Sequence, residues 1–161
     1  MTKGWLSADL WIIGAGFIAA MHVGKLPPAV SALQIELSIS LVQAGLLLSL
    51  IQGAGMVSAL ALGSYVEKIG LKRCVLIGLL LLSVASAVGA FSHSMQALFI
   101  SRIVEGFGFL LVTLSAPAYI RQLVPIEQLH AKIGLWSSYM GTGVGLSLRS
   151  EEHTSELQSR R

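Results

Sequence analysis

Long apolar runs, broken by charged residues at wide intervals, organise this chain. No Asp, Glu, Lys or Arg occurs between Glu36 and Glu67, or between Arg73 and Arg102. A bilayer's hydrocarbon core, ~30 Å thick, takes about 20 helical residues. Each gap therefore holds one transmembrane helix and a flank, which predicts spans at Leu41–Tyr65 and Val75–Phe91. A third run, Ala97–Ile120, carries Arg102 and Glu105. Leu10–Val30 precedes these and holds His22 and Lys25, and Lys132–Leu148 follows as a short fifth span. The expected fold is all-α, with five membrane helices at about 10–30, 41–65, 75–91, 97–120 and 132–148. The connections are short, so consecutive helices pack as neighbours. Helices in lipid approach through small residues. Gly16, Ala20 and Gly24, then Ala85 and Gly89, then Gly141 and Gly145 recur at four-residue intervals and mark expected packing faces.

Composition sharpens this reading. Of 161 residues, 54% are hydrophobic and 12% charged, about half the charged share of a soluble domain. That excludes disorder and a water-soluble globule. The net charge of +3 comes from scattered basic residues with no patch, so no nucleic-acid partner is expected. Cys74 stands alone and cannot form an internal disulfide. The four histidines lack metal-ligand spacing, no catalytic triad is visible, and no strand precedes Gly141, Gly143 and Gly145 to make a nucleotide loop. No metal, cofactor or enzymatic activity is expected. Asp9 within the n-region and the lack of a cleavage pattern argue against a signal peptide. Lys68, Lys72 and Arg73, with Arg121 and Lys132, mark two connections as cytoplasmic, and Lys3 places the N-terminus inside.

Ionisable residues at membrane depth are costly and mark either a pathway or a pair. Counting 1.5 Å per residue from opposite faces puts His22 ~18 Å up its helix and Arg102 ~10 Å down its own. In a ~30 Å core these levels nearly coincide. Glu105 falls near the midplane, three residues from Arg102 on one helical face. Two readings stand: a self-neutralising Arg102–Glu105 pair that holds the bundle, or groups on a pathway. His22 likewise reads as a packing residue or a substrate contact. Lys25, ~4.5 Å further out, is expected to snorkel to the interface.

The segment Gly63 to Arg73 (GSYVEKIGLKR) joins the second and third spans. Gly70 permits a tight reversal. Its spacing resembles the signature loop between helices two and three of the major facilitator superfamily. Gly63, Lys68, Gly70 and Lys72 fall in place, Glu67 stands where Asp is usual, and Tyr65 where Leu is usual. Arg102 to Gly108 is similar to that family's helix-four pattern, and the stretch from Gly134 to Gly145 to its glycine-rich fifth helix. The run Met21 to Pro28 is similar to bacterial cyanate- and nitroimidazole-type permeases of the same superfamily. The resemblance covers residues 1 to about 148. It implies five helices of a six-helix N-terminal half, cut short of helix six and the whole C-terminal half. It also implies a multi-pass protein of the bacterial cytoplasmic membrane that moves a small solute by alternating access. Arg102, Glu105, His22 and Lys25 are then candidates for the substrate or proton pathway, with a small anion favoured. Gly63, Glu67, Lys68, Gly70, Lys72 and Arg73 would form the gating loop. The partners are a small-molecule substrate, protons, the lipid bilayer and the missing half of the same protein. A rival reading is a small five-helix membrane scaffold with no transport activity.

The ending differs from the rest. Six charged residues crowd positions 149–161 after a run with almost none. Arg149 to Ser159 resembles a translated sequencing adapter. Residues 149–161 are accordingly expected to be a non-native polar tail, and the chain as it stands is expected to be an inactive fragment.

Overall fold

The computed structural model describes residues 8–92 and 94–159, and Lys3, His93 and residues 160–161 lie outside them. Seven helices follow in order: α1 (Ala8–Gly24), α2 (Leu26–Leu37), α3 (Leu41–Ile69), α4 (Leu71–Ala90), α5 (Met95–Leu123), α6 (Ile126–Ser137) and α7 (Tyr139–Ser159). No strand occurs among the described residues.

Three stretches are long and apolar enough to cross a membrane: Leu41–Ala59 within α3, all of α4, and α5. The expected first and fifth spans are each interrupted. α1 is apolar but only 17 residues long, and the helix restarts after Lys25 with a proline in its first turn. Pro27 and Pro28 have no N–H to give the carbonyls of the preceding turn, so the ladder cannot run through. α6 and α7 divide at Ser138, whose N–H and hydroxyl both turn back to the carbonyl of Leu135. The helix α7 runs on through the polar segment from Arg149 as far as Ser159.

Helix starts are fixed by side chains. Ser40 accepts from the Gln43 N–H while the Gln43 amide accepts from the Ser40 N–H, a reciprocal capping box at α3. Ser94 accepts from Ala97 at the start of α5. Between α3 and α4 the chain turns on Gly70 at φ +96, a conformation closed to residues with a Cβ except under strain.

α5 is the central post. It packs on α1, α3 and α4, and half of its apolar window is buried. Backbones come close where glycines allow it. A Cβ on Gly78 would meet the Gly108 carbonyl oxygen at 2.7 Å, and one on Gly106 would meet that of Ile51 at 2.7 Å. α1 lies against α6 and α7: a Cβ on Gly16 would collide with the Trp136 ring, and one on Gly24 would lie 2.9 Å from Val144. The stripe expected on α1 is therefore a packing face. On α7 the close approach belongs to Gly143, where a Cβ would meet Ala20 at 2.5 Å. Gly141 and Gly145 have open space around them instead, because the α1-facing side of α7 passes through Gly143 and Ser147. The largest core unites Ile12, Ile13, Val75, Leu82, Phe109 and Trp136 from four helices. Facing outward are apolar side chains such as Trp11, Val57, Leu76, Leu80 and Val88, which suit lipid and not water.

Candidate functional site

α5 carries two charges inward. Arg102 is 3% exposed and Glu105 is fully buried. One turn apart on a helix packed on three sides, both are shielded from water in this conformation. The Arg102 Nη1 lies 2.5 Å from the Glu105 Oε2. The other carboxylate oxygen, Oε1, accepts from Lys25 Nζ at 2.7 Å. Lys25 also donates to the Ser86 hydroxyl of α4 at 2.5 Å. Its third contact is His22 Nδ1, at 3.5 Å. An ammonium has no acceptor, so Nδ1 must accept and the imidazole proton sits on Nε2.

All four pathway candidates from the sequence thus meet at one place, drawn from α1, the α1–α2 turn and α5, with Ser86 completing it from α4. The expectation for Lys25 is corrected. Its Nζ turns inward to Glu105 and Ser86, with the side chain 29% exposed, and does not snorkel to an interface. The break between α1 and α2 places Lys25 at a turn over the α4–α5 pair, where a buried carboxylate outcompetes the headgroup region. Gly89 makes the space: a Cβ there would sit 3.0 Å from Arg102 Nη2 and 2.9 Å from Ser101 Oγ.

The charges do not cancel. Lys25 and Arg102 face a single carboxylate, leaving one positive charge in excess. Arg102 and Glu105 are close enough to pair, yet same-helix spacing does not align a planar fork. The Nη1 of Arg102 is taken up by Glu105, and its Nε has no hydrogen-bond partner. A buried guanidinium with an unused Nε–H, beside an ammonium and a hydroxyl, presents hydrogen-bond donors to the space around it.

Two further features are placed. Of the gating-loop candidates only Gly70 lies between helices, with Gly63, Glu67 and Lys68 in the last turns of α3 and Lys72 and Arg73 in the first turn of α4. Gly63, Val66, Glu67, Gly70 and Leu71 line a cleft of about 520 Å³ whose far wall is α5. Lys68 sits 5.5 Å from the Tyr65 ring centre. Lys72 and Arg73 are exposed at the start of α4. A second ion pair joins Asp9 of α1 to Lys132 of α6 at 2.6 Å. Neither Ser86 nor this pair was found from sequence. A serine in an apolar run carries no mark, and residues so far apart in sequence pair only once α1 and α6 are known to touch. No group of His, Cys, Asp or Glu suited to a metal occurs among the described residues.

Residues 12–148 match the family model described as Major Facilitator Superfamily. The chain is 31% identical over 110 residues to a human protein named proton myo-inositol cotransporter, covering 68% of this chain and 17% of that one. It is 25% identical over 127 residues to multidrug resistance protein 1 of Bacillus subtilis, covering 79% of this chain and 33% of the relative. It is also 25% identical over 126 residues to sugar transporter ERD6-like 6 of Arabidopsis thaliana, covering 73% of this chain and 26% of the relative. The chain therefore spans at most a third of the length of these relatives. No solved structure matches it.

Proposed function

The chain belongs to the Major Facilitator Superfamily, and from that premise we propose that it forms the N-terminal part of a secondary transporter for a small anion. A multi-pass membrane protein of transporter ancestry follows from the family and the spanning helices. The anion rests on one observation, the buried cluster in which Lys25 and Arg102 outnumber Glu105 while Arg102 keeps its Nε–H unused. The named substrates of the three relatives, an inositol, drugs and a sugar, differ from one another. They support the process and not a substrate.

In this reading five crossings form, with α1 and α2 as the first and α6 and α7 as the fifth. Interrupted helices at a substrate level are a recurring transporter device. The N-terminus lies in the cytoplasm of a bacterium, on the side of Lys68, Lys72 and Arg73. His22, Lys25, Arg102 and Glu105 line the pathway, and transport is coupled to protons. That coupling has support in the name of the proton-linked relative. Alternating access needs a second bundle to rock against, so residues 1–161 alone do not transport.

The test is uptake of radiolabelled formate, nitrate and cyanate into proteoliposomes containing the full-length protein. Arg102→Ala is expected to abolish uptake of the transported anion and to flatten its pH dependence. Unchanged uptake and pH dependence in Arg102→Ala would refute the assignment. Uptake by residues 1–161 alone would refute the need for a second bundle.

A further inference from the structure

We propose that Glu105 sets the valence of the anion, so that the site accepts one negative charge and rejects two. This deepens the reading of the Lys25–Arg102–Glu105 cluster as an anion site and rests on it. Among the described residues the charges in contact at this point are Lys25, Arg102 and Glu105. His22 adds none, since its Nδ1 accepts from the Lys25 ammonium. The empty site holds an excess of one positive charge in a place where Arg102 and Glu105 are almost wholly shielded from water. An uncompensated charge out of water is strongly disfavoured. A monoanion brings the sum to zero. A dianion overshoots to minus one, with Glu105 itself as the repelling neighbour.

The donors fit such a ligand. Arg102 offers its Nε–H, which has no hydrogen-bond partner in the protein, while its Nη1 stays on Glu105. The Ser86 hydroxyl accepts from Lys25 at 2.5 Å, so its own proton is free to point to a ligand. Glu105 cannot be swung away to make room for a second negative charge, because its carboxylate is held from two sides by cations, one on α5 and one at the α1–α2 turn. Size alone does not produce this selectivity. Charge balance does, and it assigns Glu105 the role of a specificity-determining residue that need not touch the ligand.

Oxamate and oxalate test the proposal, because they share one shape and differ by one charge. Each is titrated against the purified full-length protein in detergent, and apparent dissociation constants are read from the shift in thermal unfolding. The wild type is expected to bind oxamate more tightly than oxalate by about tenfold. Glu105→Gln keeps the shape, removes the negative charge, and is expected to reverse the order. Any charge contributed from outside this chain is the same in both proteins and drops out of the comparison. Lys25→Gln, at a part-exposed position, shifts the sum the other way and is expected to weaken oxamate about tenfold. A wild type that binds both equally, or a Glu105→Gln protein that still prefers oxamate, overturns the valence role and leaves the anion site standing. If Glu105→Gln does not fold, unchanged oxamate affinity in Lys25→Gln overturns it. A wild type that binds neither probe and takes up none of formate, nitrate or cyanate removes the anion reading and this inference together.

Discussion

Glu105 answers two cations at once, and that arrangement decides what its loss costs. Removing one partner from a buried ion pair costs about 3–5 kcal/mol. Glu105→Ala strands both Arg102 and Lys25. Lys25→Ala removes a side chain that already reaches water in part and leaves Arg102 to balance Glu105. The melting temperature of the full-length protein is therefore expected to fall further for Glu105→Ala than for Lys25→Ala, and equal losses would contradict the shared geometry. Depth arithmetic from the sequence placed His22 and Arg102 at one level, and the structure joins them through Lys25 and Glu105. Depth says nothing of azimuth, however. The same arithmetic left Lys25 free to point outward, and only the position of the α1–α2 turn over α4 and α5 turns it in.

At the level of the helix, glycine position separates real crossings from apparent ones. The four-residue spacing of Gly141 and Gly145 suggested a packing face on the last helix. The contact falls on Gly143, two residues from each and on the opposite side of the helix. Gly143→Val is expected to disrupt the α1–α7 contact and lower the yield of folded protein, while Gly141→Val and Gly145→Val are tolerated. Size-exclusion profiles in detergent check this, and the reverse order would contradict the packing. At Gly70 the backbone and not a neighbour imposes the residue. An added Cβ meets nothing within 4 Å, yet φ is +96. Gly70→Ala is expected to cost about 1–3 kcal/mol, read as a lower melting temperature. The interruption of the first span was legible in Pro27 and Pro28, whose missing N–H groups end a ladder. The interruption at Ser138 was not, because no proline or charge precedes it. There the two turns to Leu135 are a local choice the pattern of apolar residues does not encode.

For the whole molecule, the apolar runs and three motifs in sequence order carried the family, which the match over residues 12–148 shows. The number of crossings was less legible, since spans were counted from gaps between charges, and a gap does not distinguish one helix from two joined at a turn. The central claim is that a buried cluster of unequal charge lies on a water-reached path through this bundle. Ser86 reports on it directly, since its hydroxyl sits 2.5 Å from Lys25 Nζ on the half-buried face of α4. In the full-length protein with Cys74 and any other cysteines replaced, Ser86→Cys is to be treated with a membrane-impermeant thiosulfonate, with and without formate. Modification from one side of the membrane, slowed by formate, is the predicted result. No modification from either side, or modification indifferent to the anion, would contradict the account.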